Sequence, residues 1–545
     1  MGSRRAVGQN ERYLMAPSGS ILVDERVTMG DDTSNRRRAA AIGTVTVAVL
    51  ALMAGGGITG RAIGQDDASL GGGCAGSEAD VDIPDETESQ AAPLRATSPP
   101  KCRPTVFHVA ADRKADEKGN GSKARPYQSL EQALAAGQKR NACALEIFVA
   151  AGRYEGALSI TRPTTVEGTS MLDVIVSGTI TNRDTELVLR NLLVTSFESY
   201  GPAKCEHSAA LRAYGSRNFT LLEHVEINSP KGYGVYQDRG GMVLEDVAVH
   251  NVSGCVGDPG SGVGVFVGGG AWAEVSHLQV HGSKSRGVVV MGPGTSLAGT
   301  DVEINDTRAM GGDRESGIGI HVGGGAQVGL ENVTVTASAS QGLDAHGSGT
   351  SVAIENLTVT STGRHPSQPG GPGIPAHSGA VEVREGAVFR SSLLRIQDSA
   401  FVGLLAFEEG VVYARGRGAE CIVAEQVRAG GCPITVVDSR TSPSTPGAND
   451  GGGIAAAAIA GGRIELQNFE IARADLAGLM ISGRSSAGAI PQLVARRGIV
   501  HHSIIGASVG RDVDVNQVVN SIIDRVVYRD NRRNLSSETL PVPRR

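Results

Sequence analysis

An apolar pair with a fixed internal offset recurs nine times between residues 192 and 471, and it limits the fold more than any other feature of the chain. Its first member is Leu192, Val225, Val247, Leu278, Val302, Val333, Leu357, Leu394 or Phe469. Two residues on comes Val194, Ile227, Val249, Val280, Ile304, Val335, Val359, Ile396 or Ile471, every one of them β-branched. A spacing of two puts both side chains on one face of a strand. The residue ahead of the pair is polar in eight copies (Asn191, His224, Asp246, His277, Asp301, Asn332, Asn356 and Asn468), with Leu393 the exception. A Gly follows the first member at nine residues in six copies: Gly201, Gly234, Gly287, Gly342, Gly403 and Gly478. It follows at fifteen residues at Gly262 and Gly317, and at twenty-two at Gly379. The basic unit is therefore about 24 residues, and insertions enter only between the pair and the Gly. No helical period fits this pattern.

Units of this length with two or three short strands predict an all-β parallel solenoid. The paired apolar residues become interior columns, and the polar residues ahead of them become a stacked turn ladder. The composition agrees. The chain has 75 Gly but only nine Phe, nine Tyr and one Trp, so its core must be built from Val, Ile, Leu and Ala. Gly follows no three-residue period, which excludes collagen. A net charge of −6 and the lack of a basic stripe in the repeats argue against nucleic acid as a partner.

The N-terminal part reads as an export or anchoring device. Residues 1–38 form a basic n-region or cytoplasmic segment ending in Arg36, Arg37 and Arg38, and residues 39–60 are uncharged and long enough to cross a bilayer as a helix. A cleaved signal peptide and an uncleaved membrane anchor both fit. Either sends the rest of the chain out of the cytoplasm, to a secreted, periplasmic or cell-surface location. Residues 61–100 are acidic and rich in Gly, Ser and Pro, as in a disordered linker. The solenoid is expected over 101–530 and a disordered tail over 531–545.

The segment from Val106 to Gly168 carries a second, independent pattern. Val106-Phe-His-Val109 leads to a Gly121 loop; Pro126-Tyr-Gln-Ser-Leu130 opens a short helix; Ile147-Phe-Val149 leads to Gly152-Arg-Tyr154. This resembles the N-terminal module of bacterial right-handed parallel β-helix proteins of the pectin-lyase-like superfamily. The resemblance implies a right-handed parallel β-helix with a short N-terminal capping helix. Ser129 and Gln132 are spaced as a capping box for that helix. The fold hosts lyases, hydrolases, adhesins and inert surface proteins, so it does not name an activity.

Six Cys lie beyond the linker, and an exported chain favours disulfides. Cys102 and Cys143 each stand four residues ahead of a strand, Val106 and Ile147, and pair if those strands are neighbours. Cys205–Cys255 and Cys421–Cys432 are the remaining natural pairs. No paired Cys-x-x-Cys spacing supports zinc.

Catalytic signatures of the polygalacturonase kind are absent from the repeats. Asp344 and His346 share one strand face after Gly342 and are the candidate acid/base pair. The inserted loops offer a candidate ligand surface through Asp258, Asp306, Arg308, Asp313, Arg314, Glu315, His365 and His377. Asp512 and Asp514 begin like a calcium loop but lack its Gly and distal Glu. No cofactor is expected, with Ca²⁺ the one ion left open. The expected function is that of an exported cell-envelope or surface scaffold with a recognition face for glycan or another envelope component. A polysaccharide lyase or glycoside hydrolase on the same fold is the alternative. Membrane contact runs through residues 39–60 if they stay uncleaved.

Overall fold

Short β-branched segments that alternate inward and outward make strands, and a turn after each makes a coil. The structure, a computed structural model, describes residues 102–536 except 112–118, 196–207, 256–257, 259, 311–315, 364–378, 418–420, 422–431 and 441–452. They belong to one unit, Ala96–Arg545. Among the described residues the strands form two sheets, of 18 and 14 strands, and strand pairs with strand in parallel. A typical coil gives a six-residue strand such as Gln341–His346 to the second sheet and a ten-residue strand such as Ser351–Thr360 to the first.

The ten-residue strands bend at the polar residue ahead of the apolar pair. His224, Asp246, His277, Asp301 and Asn332 all have left-handed backbones, with φ between 51° and 58°. Asn, Asp and His tolerate this conformation better than β-branched residues do. The bend divides each long strand into two arms, so a coil has three strand segments. The bend residues stack as the expected ladder. His224 Nε2 lies 3.2 Å from Asp246 Oδ2, and His277 bridges Asp246 and Asp301 at 3.5 and 3.6 Å. Asn332 Nδ2 donates to Asp301 Oδ1, and Asn356 Nδ2 donates to Asn332 Oδ1, each at 3.2 Å.

The apolar pairs form the interior. Val225, Val247, Leu278, Val302, Val333 and Leu357 are cross-strand neighbours, each at most 2% exposed. The second sheet answers with Val235, Val265, Val288, Ile320, Leu343, Val381 and Leu404.

The glycine register differs from the expected one in the longer coils. The glycines facing one another across the second sheet are Gly234, Gly264, Gly287, Gly319 and Gly342, with Ala380 next in the column. Gly262 and Gly317 sit two residues earlier, in turns with φ of 82°. The column is small because of space. A Cβ on Gly264 would lie 2.4 Å from Val280 Cγ1 and 2.5 Å from the Gly287 carbonyl oxygen. The second β-branched residue of each apolar pair thus packs straight onto the backbone of the facing sheet.

Helices stand near both ends. The N-terminal helix, Leu130–Lys139, starts at Ser129, whose side chain accepts from the Gln132 N–H at 3.3 Å, and Gln132 Oε1 accepts from the Gln128 N–H at 3.1 Å. Leu130 and Ala133 close over the first coil as part of the core. At the other end Val515–Ile523 forms a helix that places Val518 and Ile522 in the core. The solenoid does not stop at residue 530: Arg533–Ser536 is a strand paired with Ile505–Val509, because its Leu535 continues the Ala507 register.

Cys102 and Cys143 are joined by a disulfide, with Cα atoms 6.2 Å apart. Cys255 is also disulfide-bonded, while its expected partner Cys205 lies outside the described residues. Cys421 and Cys432 depart from expectation. They are free, buried thiols rather than a disulfide. No described helix is long and apolar enough to cross a membrane, and residues 39–60 lie outside the described residues.

Candidate functional site on the outer face of the second sheet

Between the two inward residues of each second-sheet strand stands an outward one. In parallel register these outward residues form a column along the solenoid: Arg212, Tyr236, Phe266, Val289, His321, Asp344, Glu382, Leu405, Ala457 and Met480. The column changes chemistry as it runs.

Its first part is aromatic. The rings of Tyr236 and Phe266 stack at 4.8 Å with planes 5° apart, and Tyr233 meets both edge-on. Arg212 lies over the rings of Tyr214 and Tyr236 at 5.1 and 5.7 Å. Burial first, and then the Asp258 charge, push the Tyr233 hydroxyl up to about 12. The last part is apolar: Phe401, Leu405, Ala457 and Met480 belong to a cluster separate from the core.

Between them lies an ionic cluster on three successive rungs. His321 faces Asp344, which faces Glu382; one pleat along, Gly323, His346 and Arg384 face one another. Gly323 has no side chain, so the His346 ring occupies the space a Cβ there would fill, 2.4 Å from its Cε1. That turns His346 toward His321, with ring centroids 4.8 Å apart. His321 Nδ1 lies 2.9 Å and His346 Nδ1 3.5 Å from Asp344 Oδ2. Neither ring nitrogen makes a hydrogen bond, and both are buried. Arg384 Nε donates to Asp344 Oδ1 at 3.3 Å and Nη2 to Oδ2 at 3.4 Å. Gln341 Nε2 donates to Glu382 Oε2 at 2.5 Å, and the Gly379 N–H to the same atom at 3.3 Å. Asp344 is 1% exposed, His321 5% and Glu382 9%, which is unusual for outward-facing charge.

The two carboxyls diverge electrostatically. Burial alone would raise Asp344, but its close contacts with His321 and His346 and the Arg384 charge hold it well below the usual carboxylate range. Glu382 is pushed up to about 7, by burial and then by the Asp344 charge. Burial lowers His321 despite the adjacent carboxylate, favouring the neutral ring.

Asp344 and His346, singled out in the sequence, are thus brought together. His321, Glu382 and Arg384 complete the cluster and were missed. The signal existed: placing the repeat glycine at Gly319 instead of Gly317 puts His321 in the column of Asp344. The described loop candidates, Asp258, Asp306 and Arg308, make local contacts. Asp258 Oδ1 accepts from the Gly260 N–H at 3.0 Å, a local turn. Asp306 Oδ2 accepts from Arg308 Nε and Nη2, at 3.0 and 2.5 Å, a pair two residues apart. Asp313, Arg314, Glu315, His365 and His377 lie outside the described residues. Asp514 caps the C-terminal helix, accepting from the Asn516 N–H at 2.9 Å, and Asp512 presents its backbone carbonyl to Arg484.

Residues 180–365 match the family described as right handed beta helix region. No curated protein matches the sequence. Among solved structures, the chain is similar to the catalytic domain of a GH87 alpha-1,3-glucanase in complex with tetrasaccharides. The identity is 10% over 81% of this chain and 69% of that one, with a TM-score of 0.37. It is also similar to pectate lyase Pel9A (12% identity, 75% and 78% covered, TM-score 0.29). A third likeness is to the PL6 family alginate lyase AlyGC (11% identity, 74% and 53% covered, TM-score 0.31).

Proposed function

From the premise that the chain is a right-handed parallel β-helix, we propose that it is an extracytoplasmic glycan-recognition module whose binding face is the outer face of the second sheet. The observation that carries this reading is the placement of the stacked Tyr236–Phe266 pair, with Arg212, next to the buried ionic cluster in one column. Aromatic faces bury the C–H side of a sugar ring, while Arg and carboxylate groups fix hydroxyl or uronate oxygens. Export is supported by the Arg-flanked apolar run at 39–60 and by the Cys102–Cys143 disulfide. The test is retention on a panel of uronate and neutral polysaccharides, with and without Ca²⁺. Tyr236→Ala and Phe266→Ala are each expected to weaken binding about tenfold, corresponding to about 1.4 kcal/mol. Retention on none of the panel sinks the proposal.

A second reading, a glycoside hydrolase or polysaccharide lyase, is favoured by Asp344 and Glu382 standing on adjacent rungs. Rungs are about 4.8 Å apart, nearer the roughly 5–5.5 Å of retaining glycosidases than the wider inverting spacing. Release of reducing ends or unsaturated uronates that Glu382→Gln abolishes would establish it.

A further inference from the structure

We propose that His321, Asp344 and His346 form a binding site for a divalent first-row transition ion. One donor atom from each lies within 4.8 Å of those of the other two. The two measured separations, 2.9 Å from His321 Nδ1 and 3.5 Å from His346 Nδ1 to Asp344 Oδ2, bracket the spacing expected of atoms that share a metal. Bonds of about 2.0–2.2 Å put neighbouring donors about 3.3 Å apart in a tetrahedron and about 3.0 Å apart in an octahedron.

A structural His–Asp pair aims its ring N–H at a carboxylate oxygen. Here both Nδ1 atoms approach Asp344 Oδ2 closely without making a hydrogen bond, and both are buried. His321 is 5% exposed, so its Nδ1, 2.9 Å from Asp344 Oδ2 but outside hydrogen-bond geometry, has no recourse to bulk water. A buried ring nitrogen outside hydrogen-bond geometry is destabilising, and a shared cation would remove that cost at both rings.

The donor set selects the ion. Two imidazoles and one carboxylate suit Zn²⁺, Fe²⁺ or Co²⁺, whereas Ca²⁺ takes six to eight oxygens. Three protein ligands leave positions for water or a ligand oxygen. Arg384, held on both oxygens of Asp344 at 3.3 and 3.4 Å, orients that carboxylate from behind. The site stands apart from the glycan reading: an ion can bind with no sugar present, and a sugar can bind the aromatic zone with no ion.

The experiment uses the full chain, stripped with chelator and titrated with Zn²⁺ and with Co²⁺. One ion per chain is expected, with ligand-field bands of a nitrogen- and oxygen-ligated Co²⁺ and a rise in Tm on Zn²⁺ addition. His346→Gln, whose side chain is 19% exposed, and Asp344→Asn should each weaken binding at least about tenfold. The stripped His346→Gln variant should keep the Tm of the stripped wild type, separating ligation from folding. His250→Gln removes one ring of a His250–His281 pair 6.2 Å apart on another face, and should change nothing. No bound ion, or binding that survives both site variants and falls with His250→Gln, overturns the proposal.

Discussion

Glu382 carries the most informative single proton among the described residues. Its carboxyl has a higher pKa folded than unfolded, raised from 4.5 to about 7. Between those values the native state binds more protons than the unfolded chain, so stability falls as pH rises through that window. The contribution is fully present below the unfolded value and is lost above about 7. In chelator-treated protein, stability should drop by on the order of 2 kcal/mol from about pH 5 to about pH 8. Glu382→Gln keeps the acceptor for Gln341 and should flatten that slope; identical slopes in thermal melts of both proteins would exclude the assignment. Sequence legibility was uneven at this scale. Asp344 and His346 were readable because they alternate on one strand, two residues apart. Glu382 lies 38 residues after Asp344, across the insertion between Leu357 and Gly379, whereas His321 lies one uninserted coil of 23 residues before it and is hidden only by the misplaced repeat glycine at Gly317.

The strand and its facing glycine make up the repeating element. The apolar pairs and the polar bend column were legible because side-chain period and backbone preference act within one strand. The glycine column was legible only where nothing is inserted, at Gly234, Gly287, Gly342, Gly403 and Gly478. In the longer coils a turn glycine with positive φ, Gly262 or Gly317, competes with the true column member two residues on. The distinction has a mutational signature. Gly264→Val adds atoms against the Gly287 carbonyl and Val280, neither of which can withdraw, and should cost about 1–3 kcal/mol or more. Ala380→Gly, in the same column, should cost at most about 1 kcal/mol, since Ala already fits there. Chemical denaturation of both variants measures the difference; equal losses would mean that space does not set the column.

For the molecule as a whole, stability is built from neighbour contacts along a stack, so the ends and the staples matter disproportionately. The Cys102–Cys143 disulfide closes a loop with a sequence separation of 41 beside the N-terminal helix. Removing it by Cys102→Ser with Cys143→Ser should cost roughly 2–4 kcal/mol. Leu130→Asp opens the cap over the first coil, and light scattering should then report end-to-end association through the exposed strand edges. A variant that stays monomeric with an unchanged melt would show that the helix is dispensable. The column on the second sheet runs from stacked rings through paired charges to an apolar end, and in a parallel stack it cannot be reversed. That arrangement is a vector. Under the glycan-binding proposal, a polymer lying along it would meet different chemistry at its two ends, and head would differ from tail even in a chain whose units are all alike.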